Sequence, residues 1–386
     1  MSMRRPRLVR MLAAPLILAG VLTALQEAPA SALTCQAWTG VQPPSPGQVN
    51  ELAGVAVVSA CNVWAVGTAT SDPGGAQTLI EHWAGGSSWT VAPSPDPGSA
   101  GNHLTGVGAI SPTDIWAVGW FTSDASDSAK DQPLIEHWDG SSWTVVPGPD
   151  LGSGPRGSQL TSVRAVSASD VWAVGADSHG QTLIEHWDGT AWTRVPSPSP
   201  GAGNFLAGVS AISASDAWAV GGYVTGSQSP TLILHWDGTT WTQVPSPSPG
   251  GFLNELNGVH ATSASDAWVV GISENNSGGP QTLIEHWDGT AWTQVPGPSP
   301  EGSFLAGVTA TSARTAFAVG SAGFRQPFVL QWNGSSWSQA ASPPEGAGNA
   351  LEAVAAGPAG NVWVVGSSSD ATKAYAAPLL GTAGRA

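Results

Sequence analysis

Lysine, tyrosine, cysteine and long apolar runs are all scarce in this 386-residue chain. The only lysines are Lys130 and Lys373, charged residues make up 10% of the chain, and the formal net charge is −15. Such a surface repels phosphate backbones and anionic lipid, so neither nucleic acid nor a membrane is an expected partner. No segment approaches the roughly 18 apolar residues of a spanning helix. The two cysteines, Cys35 and Cys61, allow one disulfide with a single connectivity. Neither H-E-x-x-H, nor G-x-S-x-G, nor a phosphate-binding glycine loop occurs, so the common catalytic motifs are missing and no cofactor or metal is expected.

Export is what the first residues point to. Arg4, Arg5, Arg7 and Arg10 precede an apolar stretch from Met11 to Leu25, followed by Ala28, Ala30 and Ala32. A basic segment, a short apolar core and A-x-A spacing describe a secretory signal peptide over residues 1–32, with cleavage after Ala30 or Ala32. Removing its four arginines and Glu27 takes the net charge from −15 to −18.

Residues 33–386 are dominated by a repeat. V-W-A-V-G or a close variant ends at Gly67, Gly119, Gly175, Gly221, Gly271, Gly320 and Gly366, 46–56 residues apart. The unit reads L-x-G-V-x-A-x-S, a turn with Asp or Asn, V-W-A-V-G, a variable loop, T-L-I-E-H-W-D-G-T, A-W-T-x-V and P-S-P-S-P-G. Short apolar runs bounded by glycine and proline give four strands, a to d, with Asp188-Gly189 as a hairpin signal between c and d. The proline run cannot donate to a ladder and must leave the sheet. The spacing is that of a propeller blade, and no 3.6-residue period supports a helical solenoid.

The expected fold is therefore an all-β, seven-bladed β-propeller of four-stranded antiparallel blades. The seventh unit lacks strand d, and residues 35–41, with Trp38, supply the missing element. That strand is expected to close the ring as part of the last blade. Cys35 would then lie beside Cys61 in the first a–b turn, and a bridge between them would staple the closure.

Nineteen of the 20 tryptophans occupy repeat positions and read as blade-to-blade core. Trp120 alone falls outside. Glu-His recurs at Glu81-His82, Glu136-His137, Glu185-His186 and Glu285-His286. Equivalent positions around a ring cannot converge on one metal, so each histidine reads as a structural residue bonded to an Asp turn or a Trp.

The unit resembles the Kelch-type blade, seen also in the central domain of galactose-oxidase-like proteins. The matching residues are V-W-A-V-G, with a double glycine at Gly221-Gly222, the aromatic–Asp pair Trp187-Asp188, then Trp192 and a V-P-x-P tail. Galactose-oxidase chemistry would need a copper site built on tyrosines, and Tyr223 and Tyr375 are the only two. The resemblance thus implies the fold without the oxidase activity.

Loop lengths after strand b vary, from Gly175–His186 at the short end to Gly119–His137 at the long end, whereas the a–b turn residue always stands 5 residues before the strand-b glycine. The b–c and d–a connections share a face, which carries Trp120, Phe121, Tyr223, Phe205, Phe304, Phe324 and Arg325. Arg164, Asn257, His260 and Glu352 occupy the free positions of strand a and are expected in the central tunnel. The expected function is a secreted, monomeric, non-enzymatic module that binds an extracellular protein or glycan through this face. The alternative is a secreted carbohydrate-active hydrolase or lyase using Asp124, Asp127 and Asp131.

Overall fold

The computed structural model describes residues 42–72, 74–124, 127, 130–275, 278–323, 326–341, 350–367 and 372–380. They belong to the unit Cys35–Ala386; the other unit, Met1–Thr34, lies outside the described residues, as do the proposed leader and the strand 35–41. Every described regular element is a strand, and no helix is long and apolar enough to cross a membrane.

The first sheet has eight strands: β1 (Val49–Ser59), β2 (Asn62–Ser71), β3 (Gly75–Trp83), β4 (Thr90–Val91), β5 (Gly101–Ser111), β6 (Asp114–Thr122), β7 (Asp131–Trp138) and β8 (Trp143–Val145). Four four-stranded sheets follow. They are β9 (Gln159–Ser167) to β12 (Trp192–Arg194) through β10 (Asp170–Ala176) and β11 (Thr182–Trp187); β13 (Gly203–Ser213) to β16 (Trp241–Gln243) through β14 (Asp216–Val224) and β15 (Thr231–Trp236); β17 (Leu253–Ser263) to β20 (Trp292–Gln294) through β18 (Asp266–Glu274) and β19 (Gln281–Trp287); and β21 (Phe304–Ser312) to β24 (Trp337–Gln339) through β22 (Thr315–Ala322) and β23 (Gln326–Trp332). A three-stranded sheet, β25 (Ala350–Ala356), β26 (Val362–Ser367) and β27 (Ala374–Leu380), comes last.

The expectation of seven separate four-stranded blades is corrected by this hydrogen bonding. Five sheets stand alone, four with four strands and one with three, while eight strands run as one sheet. The fusion has a local cause. β3 begins early, at Gly75 with φ 72°, and its second residue, Ala76, pairs in parallel with Gly101 of β5. Elsewhere the same parallel contact falls outside the third strand and joins no sheets, as in the isolated bridge between Ser229, which precedes β15, and Leu253. The last sheet has three strands among the described residues, and residues 35–41 with Trp38, expected to complete it, lie outside them.

The two ends of the described chain nevertheless meet. The backbone N–H and the side-chain amide of Asn50 both donate to the Thr372 carbonyl, at 3.1 and 2.7 Å. Ala374 N–H donates to Ser45 Oγ at 3.2 Å and Ala376 N–H to Gln42 Oε1 at 3.3 Å. β25 and β26 also pack on β1, so each inner strand touches the next all the way round.

Packing between sheets rests on one recurring aromatic unit. In every repeat but the sixth, the second-strand tryptophan inserts between two tryptophans of its neighbour. Trp172 lies 5.1 Å from Trp236 and 5.3 Å, edge-on, from Trp241. Trp64, Trp116, Trp218 and Trp268 repeat the arrangement, and Trp363 does so against Trp83 and Trp89 of the first repeat. In five repeats the cross-strand partner of this indole on the third strand is a histidine. His82, His137, His186, His235 and His286 each lie 4.0–4.3 Å from the second-strand indole of their own repeat. Four of them meet an aspartate that opens the same strand, at 2.7–2.9 Å, and His82 meets Asn62 at 3.0 Å. The structural reading of these histidines therefore holds. The sixth repeat departs at all three places together, with Thr315, Phe317 and Gln331.

The glutamate beside each histidine faces the other way. Glu81, Glu136, Glu185 and Glu285 are fully buried, and neither carboxyl oxygen of any of them meets a hydrogen-bond partner among the described residues. The equivalent residues in two other repeats are Leu234 and Leu330, both in the apolar clusters between sheets. Burial pushes Glu81 up to about 9 and the other three up to about 8. They are accordingly neutral acids at pH 7, since an unpaired buried carboxylate is costly.

Two predictions follow from this packing. Trp172→Ala should cost about 3–5 kcal/mol in chemical denaturation, the range for emptying a large aromatic site. The glutamates bind protons more tightly folded than unfolded. Their contribution is complete below their unfolded pKa and is lost as pH rises through about 8, so the unfolding midpoint should fall between pH 5 and pH 9. Glu185→Leu should flatten that slope and stabilise the protein at pH 8 by roughly 1–3 kcal/mol. A midpoint that rises with pH would contradict the assignment of neutral carboxyls.

Candidate binding face around the central tunnel

The inner strands β1, β5, β9, β13, β17, β21 and β25 surround a cavity of about 190 Å³. Each has a register shift directly after its conserved leucine, where one residue is left without a partner on the second strand. Those bulge residues are Ala53, Thr105, Thr161, Ala207, Asn257, Ala306 and Glu352, and all line the cavity. Three reach across to the next inner strand. Thr105 Oγ1 donates to Leu160 O at 3.0 Å, Thr161 Oγ1 to Leu206 O at 2.7 Å and Asn257 Nδ2 to Leu305 O at 2.8 Å.

Glycine at the next position lets the strands close in. A Cβ on Gly106 would sit 3.0 Å from Ser162 Cα, and one on Gly258 would sit 3.0 Å from Gly307 Cα.

The tunnel residues named from the sequence fall at two levels. Asn257 and Glu352 line the cavity. Burial, with Glu51 adding to it, pushes Glu352 up to about 7. Arg164 and His260 lie one residue beyond the lining Val163 and Val259, nearer the turns that join first and second strands.

At the loop end of the first strand, the residue before each of these leucines is Glu51, His103, Gln159, Phe205, Glu255, Phe304 or Ala350. Sequence reasoning passed over this position for all but the phenylalanines. The available signal was its variation beside an invariant leucine. His103 stacks on Trp120, its direct cross-strand partner, with ring centroids 4.8 Å apart and planes 17° from parallel. Its Nδ1 lies 3.3 Å from Thr68 Oγ1, and desolvation lowers its pKa against a raising influence from Asp131. Phe205 pairs with Gly222, the second glycine of the only double glycine at this site, and a Cβ there would stand 3.1 Å from Phe205 Cζ. That glycine seats the phenylalanine ring.

The remaining loop-face residues divide. Trp120 is half-buried and lies on His103. Phe121 and Tyr223 are partly buried against the cores beneath them, which gives each a packing role. Phe324 and Arg325 lie outside the described residues.

The three aspartates of the alternative enzyme reading are committed elsewhere. Lys130 Nζ bridges Asp124 at 2.6 Å and Asp127 at 3.9 Å. Asp131 is buried and accepts hydrogen bonds from Thr122 Oγ1 at 2.6 Å and Gln159 Nε2 at 2.9 Å. No group of three His, Cys, Asp or Glu suited to a metal ion occurs among the described residues.

Repeated antiparallel blades packed round a tunnel define a β-propeller. No family model and no curated protein matches the sequence. Among solved structures, a YCF48 bound to D1 peptide aligns with TM-score 0.56 at 16% identity, covering 84% of this chain and 92% of its own. The WD40 propeller domain of Doa1 aligns with TM-score 0.56 at 13% identity, covering 89% and 96%. YCF48 from Cyanidioschyzon merolae gives TM-score 0.56 at 14% identity, covering 85% and 96%. At these identities the likeness is one of fold.

The close approach of the inner strands is testable. Gly106→Ala brings its Cβ against backbone and should cost about 1–3 kcal/mol. Gly222→Ala meets the far end of the Phe205 ring and, at ordinary contact distance, the Pro230 carbonyl oxygen, and should cost under about 1 kcal/mol. Equal unfolding midpoints for the two variants would refute the account of the narrow tunnel.

Proposed function

We propose that this chain is an exported, non-enzymatic binding module that recognises an extracellular protein or glycan through the loop face around the tunnel mouth. The observation that carries this reading is where the departures from the repeat collect. Positions shared by the repeats are consumed by packing, whereas residues that differ between the repeats stand at the loop end of the first and second strands. There the stacked His103–Trp120 pair, Phe205 and Phe304 stand among Glu51 and Glu255. A rigid scaffold with variable loops at one end commonly displays binding residues this way. A protein partner has the added support that a solved propeller of similar fold carries a bound peptide. The acids of the enzyme alternative are held in structural bonds, and nothing else favours that reading. The blade pattern, with its V-W-A-V-G strand and Trp-Asp-Gly turn, is on this reading Kelch-like.

Binding to peptide and glycan arrays, followed by titration of each hit, tests the proposal. Trp120→Ala and Phe304→Ala together should weaken binding at least tenfold while the unfolding midpoint moves little. Unchanged affinity for every hit would move the site elsewhere. The export reading predicts an N-terminus at Ser31 or Leu33 in the culture supernatant. It also predicts that denatured, unreduced protein contains no free thiol, because Cys35 and Cys61 are joined. Cys61 lies in the first turn, and no cysteine among the described residues is free.

A further inference from the structure

The tunnel cavity holds a single ionisable side chain. Glu352 alone among its lining residues carries a titratable group, and no lysine, arginine or histidine lines it. Its position sets it apart from the other bulges. Thr105, Thr161 and Asn257 each donate from the bulge to a leucine carbonyl on the next inner strand, at Leu160, Leu206 and Leu305. The seventh repeat places a carboxyl at this point, beside β1, where the equivalent leucine is Leu52. An acceptor thus stands where three other repeats supply a donor. The remaining bulges hold Ala53, Ala207 and Ala306, which supply neither.

Glu352 makes no hydrogen bond and no ion pair among the described residues. It is half-buried, so solvent reaches it. The strands packed on β25 are β1, β21, β22, β23 and β26, and of these only β1 carries a titratable side chain, Glu51. That residue is a second acid, and no positive side chain on these strands offsets either carboxyl.

A carboxyl with an acid for a neighbour, set against a backbone carbonyl, calls for a cation that also donates hydrogen bonds. A primary ammonium does both, with one charge and three N–H donors. A metal ion is served less well. Calcium takes about 6–8 oxygen ligands, carboxylates prominent among them, and no group of three metal-binding side chains occurs among the described residues. A water needs roughly 10–15 Å³ of such space, so a cavity of about 190 Å³ also admits an alkyl stem beside the alanines.

We propose that the tunnel cavity binds a primary ammonium group, on a free alkylamine or on the lysine of a partner protein, with Glu352 as its counter-ion. The Leu52 carbonyl, equivalent to those of Leu160, Leu206 and Leu305, is a further acceptor. The ammonium supplies from outside the donor that Thr105, Thr161 and Asn257 supply from within. The site is separate from the loop-face reading and does not depend on it.

Calorimetric titration of the full chain with n-butylammonium and, separately, with Nα-acetyllysinamide, at pH 8 and constant ionic strength, tests this. Saturable one-to-one binding is expected for at least one of the two. Tighter binding of the lysine derivative assigns the site to a partner protein, and tighter binding of butylammonium assigns it to a free amine. Tetramethylammonium has the same charge without N–H donors and should bind at least tenfold more weakly. Glu352→Gln should weaken amine binding at least tenfold. Glu352→Thr, which repeats the bulge residue of β5 and β9, should do the same without lowering the unfolding midpoint. Glu301→Gln, an equal loss of charge in an exposed turn, should change nothing. Burial and Glu51 push Glu352 up to about 7, and the amine binds its ionised form. Affinity should therefore rise from pH 6 to pH 8, and Glu352→Gln should abolish that rise. No saturable binding by the wild type, equal binding of tetramethylammonium, or equal affinity in Glu352→Gln would overturn the proposal. Tighter binding of calcium or potassium than of either amine would also overturn it, in favour of a metal ion. Should Glu352→Gln lose its near-ultraviolet circular dichroism, the threonine variant and the tetramethylammonium comparison decide the matter.

Discussion

An indole held between two indoles of the next repeat is the contact on which the rest of this structure depends. Each sheet buries both faces, so each needs bulk on both sides, and tryptophan supplies more buried area per residue than any alternative. The contact is directional. The second-strand ring of one repeat meets the third- and fourth-strand rings of the following one, so repeats can only add in one sense. Trp363 against Trp83 and Trp89 carries the same arrangement across the two ends of the chain. Closure is therefore the same interaction as propagation, made once more between residues far apart in sequence.

Polar groups are fitted around this core according to what each can satisfy. The third-strand indole N–H reaches the carbonyl of the turn joining the first two strands, as in Trp187 to Ala168 at 3.1 Å. The Asp-Gly turn beneath it is tied by three hydrogen bonds to Asp188 Oδ1, which hold that carboxylate down at about 2, while Gly189 takes φ 94°. Histidine lies on the indole and against an aspartate. The glutamate on the opposite side has no such partner and stays neutral, which is why leucine can take its place, as Leu234 does beside a histidine that keeps its aspartate and indole. One dipeptide thus contains a residue the fold uses for a specific bond and a residue it tolerates.

Because packing consumes the repeated positions, the tunnel and its two mouths are where the repeats are free to differ. The bulge after each leucine turns a side chain into the lumen, and glycine next to it brings neighbouring strands together. The polar side chains that the bulges bring into the lumen are those of Thr105, Thr161, Asn257 and Glu352.

Much of this was legible in the chain itself. The strand order of each unit, the roles of the tryptophans and the partnering of His186 with an Asp turn all follow from a period that repeats with few exceptions. The period could not show that Ala76 and Gly101 would join the first two meanders into one sheet, because that depends on where β3 starts in space. Nor could it show that Phe121 and Tyr223 pack inward while Trp120 finds His103, because the choice is made by the neighbouring sheet. The sequence by itself determined the blade and its core, since alternation, turn glycines and indole spacing are local. Tertiary structure alone decided the partition of strands into sheets, the residues facing the tunnel and the commitment of Asp124, Asp127 and Asp131. Each of these depends on distances between groups that the chain keeps far apart.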